Sequence, residues 1–181
     1  MASARIFSTR VAIKPVVLLN IAALWTAAAW IGISTHPGRT PAEGLTIGFL
    51  AMALMLAADI GHALAHNNSA RYANAPMDEV LISAGMPRNI YYDQDISPRA
   101  HMLRALGGPI FSVAGLLISR LVFASIGQLP VARELSAWST LGHGFILVGC
   151  LLLPLTRFWG AGIILFGAAI IVFGAAMGKI R

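Results

Sequence analysis

The chain is poor in cysteine and in charge. Its 181 residues include one cysteine, Cys150, so an internal disulfide is excluded and a small buried hydrophobe is the expected role of that side chain. Charged residues make up only 11% of the sequence, whereas a soluble domain usually carries about 25%. Hydrophobic residues make up 57%, and the mean hydropathy is +0.76. This composition indicates an integral membrane protein.

Acidic residues are fewer than basic ones, and the formal net charge is +6. The basic residues are scattered near the ends of apolar segments, with no basic stripe and no interleaved aromatics. That arrangement is typical of topology signals and not of a nucleic-acid surface. We therefore expect the lipid bilayer as a partner, and no nucleic acid.

Long apolar runs dominate what is present. A transmembrane helix needs about 20 apolar residues, and five segments satisfy this requirement. They predict an all-α polytopic protein in which residues 1–181 form a single membrane domain. The expected spans lie near residues 12–34, 45–66, 102–126, 137–156 and 158–178.

The N-terminal basic residues resemble those of a signal peptide. However, the apolar run from Val16 to Ile33 is long and lacks a clear cleavage site, so we expect a retained first span. With five spans, the N-terminus, the 67–101 loop and the turn at Arg157 share one side, which carries most of the Lys and Arg. This bias predicts a cytoplasmic N-terminus, and a bacterial inner membrane is the expected location.

The loop at residues 67–101 is the one large polar stretch. Asn67-Asn68-Ser69 are poor helix formers and are expected to end the second span. Around Gly85-Met86-Pro87, β-branched and aromatic residues predict a small β-hairpin. Ser97 suits a helix N-cap and Pro98 suits the first helical position, which would place His101 and Arg104 at the membrane surface.

Ionisable residues interrupt the second apolar run. In a helix, Asp59, His62 and His66 stand at i, i+3 and i+7 and share one face. Such groups are costly inside a membrane helix, so they are candidates for a functional site. His143 lies in the fourth span between two glycines, where backbones can approach closely, and is a candidate fourth member.

The order of these features resembles the site-2 protease family, the intramembrane zinc metalloproteases. That family has His-Glu-x-x-His on one transmembrane helix, a small β-structured loop, a helix with an Ala-Gly-Pro signature, and a later Asn-x-x-Pro…Asp-Gly motif. The similarity covers roughly residues 50–165 and implies a three-helix core. It rests on Gly61-His62, the loop and its Ser97-Pro98-Arg99 end, Ala105-Leu106-Gly107-Gly108-Pro109 and Leu151-Leu152-Leu153-Pro154-Leu155.

The catalytic positions of that family are not retained. Aligned on Gly61-His62, the first ligand histidine falls on Ala58, the general base on Asp59 and the aspartate ligand on Trp159. A second alignment, from His62 to His66, keeps two histidines but has no base at the expected place. A zinc hydrolase needs three protein ligands and a base, so no catalytic residues are expected.

Three interpretations of the polar cluster remain open. In the first, Asp59 and His62 are hydrogen-bonded to each other and His66 lies in water at the interface. In the second, Asp59, His62, His66 and His143 hold a metal ion, with zinc as the cofactor. In the third, His62 or His66 binds haem together with His143.

The resemblance and its departures imply a non-catalytic protein that binds another membrane protein as an accessory or assembly subunit. One alternative is an intramembrane zinc metalloprotease with a displaced site at His62 and His66. A further alternative is a cofactor-carrying subunit of a membrane redox or light-driven complex. The small residues around Gly167 and Gly174 would serve helix packing inside the chain or a homodimer.

Overall fold

The computed structural model describes residues 2–152 apart from 7–8, 84, 86, 93–94 and 127. This part of the chain is mainly helical, with one small sheet. The predicted span at 158–178, the end of the span at 137–156 and the Gly167–Gly174 packing surface lie outside the described residues. The elements are β1 (Ala2–Ile6), β2 (Thr9–Ile13), α1 (Val17–Thr35), α2 (Pro41–Tyr72), β3 (Glu79–Ile82), β4 (Arg88–Ile90), α3 (Pro98–Ile126) and α4 (Pro130–Leu152).

Three of the described helices, α1, α2 and α3, are long and apolar enough to cross a membrane. The protein is therefore a membrane protein, as the composition indicates. At 32 residues, α2 is longer than the approximately 20 residues that a bilayer requires. Its polar last turns extend beyond the apolar segment.

Asn67-Asn68-Ser69, which are poor helix formers expected to end the second span, are helical in the structure, because α2 continues to Tyr72. Tertiary contacts stabilise these residues in the helix. Oγ1 of Thr9 donates a 2.8 Å hydrogen bond to Oδ1 of Asn67, and both side chains are buried. A local helix propensity of a few tenths of a kcal/mol does not outweigh such contacts. At the other end, Thr40 and Glu43 form a reciprocal capping box.

The predicted hairpin is confirmed as the antiparallel pair β3–β4, but it belongs to a larger sheet. Four strands lie in the order β1-β2-β3-β4, with β1 antiparallel to β2 and β2 parallel to β3. The first span was expected from residue 12, whereas residues 9–13 form a strand and the helix begins at Val17. Because β2 and β3 are neighbours, the N-terminal strands and the 67–101 loop lie at the same end of the helices.

Helix α2 lies at the centre and packs against α1, α3 and α4. Gly48 allows the backbone of α1 at Ala29 to approach, since a side chain at this position would overlap it. An apolar cluster joins α1, α2 and α4, and a second one joins α2 to the sheet. The first contains Ala28, Ile31, Ala51, Met55 and Trp138, and the second contains Val11, Ala63, Ala70, Met77 and Val80.

A buried ion pair fastens the end of the bundle opposite the sheet. Arg39, in the α1–α2 connection, donates to both carboxylate oxygens of Glu134 on α4, at 3.1 and 2.6 Å. The side chains are only 8% and 2% exposed. Arg39 also donates to the carbonyl oxygen of Gly32 at 3.1 Å, so one guanidinium joins the α1–α2 connection to α1 and α4.

The start of α3 agrees with the prediction: Ser97 Oγ accepts a 3.2 Å hydrogen bond from the backbone N–H of Ala100, as an N-cap does. Helix α4 begins at Pro130, earlier than the expected boundary near residue 137. Its first turns carry Arg133 and Glu134, and these charges lower the local hydropathy on which the expectation rested.

Candidate functional site

His62 and His66 form a contacting pair on α2, one helical turn apart. Their rings are 4.8 Å apart between centroids, and the two Nε2 atoms are 3.1 Å apart. Nδ1 of His62 lies 2.9 Å from Oγ of Ser112, and Nδ1 of His66 lies 3.1 Å from the carbonyl oxygen of Arg104. Spacing along α2 predicts that the two histidines share a face, but it does not reveal their partners Ser112 and Arg104, which belong to α3.

These contacts select one set of neutral tautomers. A carbonyl oxygen only accepts, so His66 donates from Nδ1 and its Nε2 is an acceptor. His62 then donates from Nε2 to His66, and its Nδ1 accepts from the hydroxyl of Ser112. The result is one directional chain of hydrogen bonds from Ser112 through both rings to the Arg104 carbonyl, joining α2 to α3 without a net charge.

Glycines on α3 make room for this chain. A Cβ at Gly108 would overlap the rings of both His62 and His66, and one at Gly107 would overlap the backbone of α2 at Ala65. Helices α2 and α3 therefore approach each other closely at these glycines. Ser69 adds a further link, because its Oγ donates to the same Arg104 carbonyl at 2.8 Å.

Helix α4 contributes His143 and Cys150 to the same region. His143 is buried, its ring packs on Gly115, and its centroid is 5.7 Å from that of Phe111. Its Nδ1 has no hydrogen-bond partner among the described residues. Sγ of Cys150 lies 3.6 Å from Nε2 of His62. Packing alone is the expected role of Cys150, although its seven-residue spacing from His143 places both side chains on one helix face.

Asp59 does not take the role that was expected for it. The predicted hydrogen bond between Asp59 and His62 is absent: among the described residues Asp59 has no hydrogen bond or ion pair, and it is half-buried. His66 is likewise half-buried between α2 and α3, not placed in water at the interface. The physical reason is that Ser112 and Arg104 on α3 supply the partners of the two rings.

The positions that depart from the protease pattern are partly described. Ala58 is buried at the contact of α2 with α4, where a Cβ on Gly142 would lie 3.5 Å from its methyl group. Trp159 lies outside the described residues. Within residues 2–152 as described, no three His, Cys, Asp or Glu side chains are grouped so that they could hold a metal ion.

Comparison of the chain with models of known protein families, with curated protein sequences and with solved structures finds no match.

Proposed function

We propose that this protein is a non-catalytic membrane protein with a scaffold like that of site-2 proteases, and that it binds another integral membrane protein as an accessory or assembly subunit. The observation that supports this proposal most directly is the hydrogen-bond chain through His62 and His66. Both rings are fully engaged with neighbours on α2 and α3. Histidines used in this way act as a cross-link between helices.

The side chains around the pair also suit a structural role. Metal-assisted hydrolysis needs three ligands, an open coordination position and a base near the bound water. Ala58 offers a methyl group, and Asp59 has no hydrogen bond to either histidine. Converting the pair into metal ligands would require the His62–His66 hydrogen bond to break, because a ligand nitrogen must be unprotonated.

Exposed tyrosines supply a candidate contact surface for the partner. Tyr72 at the end of α2 is 82% exposed, and Tyr92 after β4 is 71% exposed. The backbone N–H of Tyr92 donates to Asp78 at 2.7 Å, which holds the start of this segment against the sheet. Tyrosine is enriched at protein interfaces because it offers a large amphipathic surface with few rotatable bonds.

The binding proposal predicts a defined protein neighbour at these tyrosines. A photoreactive phenylalanine derivative placed at Tyr72 or Tyr92 in the membrane is expected to crosslink to one integral membrane protein, identified by mass spectrometry. The same derivative at Leu117, which is 58% exposed in the middle of α3, is the matched control and is expected to label lipid. Identical products at all three positions would contradict a specific partner surface.

The absence of catalysis is tested separately. Purified protein in proteoliposomes is expected to leave a single-span membrane peptide intact, with and without a chelator. Chelator-sensitive cleavage that is lost in His62→Ala would overturn the proposal and favour the metalloprotease alternative.

The distance between the two histidine nitrogens favours a zinc metalloprotease as the second candidate function. Two histidine nitrogens bound to one tetrahedral zinc ion lie about 3.3 Å apart, close to the 3.1 Å between the Nε2 atoms of His62 and His66. Elemental analysis of the purified protein, beside a His62→Ala/His66→Ala double variant, decides the matter. Zinc near one atom per chain that disappears in the variant would support a metal site, and no zinc in either would support the cross-link.

A further inference from the structure

A cleft lined by several residues with polar side chains opens at the sheet end of the bundle, between α2, β4 and the first turns of α3. Its volume is about 290 Å³. It lies where the polar loop meets the apolar part of α3, because Arg104 is the last charged residue before the uncharged stretch that runs to Arg120. The side chains that line it are His66, Asn89, Tyr91, His101, Arg104 and Ala105.

Arg104 is a buried cation for which the described part of the chain supplies no carboxylate. Only 3% of this residue is exposed, yet no carboxylate among the described residues forms an ion pair with it. Its guanidinium stacks 3.9 Å from the ring centre of Tyr91 and lies 2.9 Å from Nδ1 of His101. A guanidinium has five N–H donors, and burying such a charge is costly unless an anion accompanies it.

Other donors in the cleft suit an oxyanion. Since Nδ1 of His101 accepts from Arg104, the proton of the neutral ring is on Nε2, and that group is a donor at the exposed mouth of the cleft. The buried Oδ1 of Asn89 has no hydrogen-bond partner among the described residues. A flip of this amide exchanges oxygen and nitrogen and presents an N–H group at the same place.

An apolar stripe leads away from the cleft along α3. Met102, Leu106 and Ile110 are 57%, 43% and 63% exposed and stand at i, i+4 and i+8, so they form one continuous face. In a membrane this face contacts acyl chains. A cation at headgroup depth beside an acyl-chain surface is the arrangement that binds an anionic lipid in pockets between transmembrane helices.

We propose that this cleft binds the phosphate group of an anionic phospholipid, with Arg104 as the main ligand, Asn89 and His101 as additional donors, and the Met102–Leu106–Ile110 face against the acyl chains.

The test is lipid binding by the full-length protein in zwitterionic nanodiscs, titrated with fluorescent phosphatidylglycerol. We expect saturable binding that Arg104→Gln weakens roughly 10- to 100-fold, since a charge-assisted contact is lost. Arg99→Gln is the matched control, because it removes the same charge from an exposed position on the first turn of α3, outside the cleft. Equal losses in both variants, or none in Arg104→Gln, would overturn the proposal.

A second variant guards against a folding defect. Asn89→Asp keeps Arg104 and nearly the same shape but places a permanent carboxylate in the cleft. It is expected to weaken phosphatidylglycerol binding at least tenfold while the melting temperature stays at or above that of the wild type. Unchanged binding would contradict a phosphate beside Asn89.

A phosphate group in the cleft could belong to a lipid headgroup or to free inorganic phosphate, and competition between the two distinguishes them. The lipid proposal predicts that millimolar inorganic phosphate displaces little phosphatidylglycerol, because the acyl-chain contacts are missing. Displacement by inorganic phosphate at concentrations equal to those of the lipid would instead assign the cleft to a soluble phosphate.

Discussion

Two arginines with buried side chains, at opposite ends of the helices, differ in whether a carboxylate accompanies the guanidinium. Arg39 is held by both carboxylate oxygens of Glu134 and by the Gly32 carbonyl. Arg104, which is more deeply buried at 3% exposure, lies on the Tyr91 ring and beside His101 with no carboxylate among the described residues. Both residues are costly to bury, but only the first has its charge balanced inside the described part of the chain.

This difference indicates that Arg39 has a structural role, whereas Arg104 is available to bind a ligand. At the far end, the charge itself joins the α1–α2 connection to α4. At the sheet end, neutral hydrogen bonds hold α3 in place, because His66 and Ser69 both bind the backbone carbonyl of Arg104. The guanidinium of Arg104 is therefore not required for that link and is left facing the cleft.

The largest expected loss of stability comes from removing the carboxylate that balances Arg39, so that Arg39, like Arg104, has no anionic partner among the described residues. Glu134→Gln leaves Arg39 buried without its anion, which is expected to cost about 3–5 kcal/mol of folding free energy. Thermal unfolding in detergent measures the loss. A double Arg39→Met/Glu134→Leu variant, in which no charge is buried, should recover most of it. If the single variant were as stable as the wild type, the pair would contribute nothing to the fold.

A smaller effect is expected from disturbing the neutral link at the sheet end. Gly108→Ala places a methyl group against the rings of His62 and His66, and overpacking of this kind costs about 1–3 kcal/mol. Gly149→Ala on α4 is the matched control: a methyl group there meets none of the described residues within 4 Å. The control should be neutral or more stable by up to about 1 kcal/mol, since alanine favours helix. Equal melting temperatures for the two variants would contradict the close approach of α3 to the pair.

Much of the helical framework follows from the sequence, because its signals are local. Apolar length predicts α1, α2 and α3, the Ser97-Pro98 pair predicts the start of α3, and the Gly-Pro turn predicts the β3–β4 hairpin. Local sequence signals do not predict the N-terminal strands. Strand β2 is stabilised by pairing with β3, which is distant in the sequence, and by the hydrogen bond from Thr9 to Asn67. Hydropathy alone extended the first span into these residues.

The candidate site was predictable only on one helix. Spacing along α2 places His62 and His66 on one face, but it cannot reveal that Ser112 and the Arg104 carbonyl on α3 are their partners. The same spacing suggests a hydrogen bond between Asp59 and His62, but the hydroxyl of Ser112 takes that place in the structure. Pairings between helices depend on the packing at Gly107 and Gly108, and no local pattern encodes their register.

The smallest expected effect concerns the tyrosine under Arg104. Burial raises the pKa of Tyr91 above its usual value, and the neighbouring Arg104 guanidinium opposes this by lowering it. Because the folded protein holds this proton more tightly than the unfolded chain, stability is fully present below about pH 10 and falls as the pH rises through the raised pKa. The wild type should therefore lose melting temperature relative to Tyr91→Phe only in that alkaline range. In Arg104→Gln the cation is gone, so the tyrosinate absorbance of Tyr91 should appear at still higher pH. A shift to lower pH would mean that the guanidinium does not lie on the ring, and the contrast between the two arginines would lose its basis.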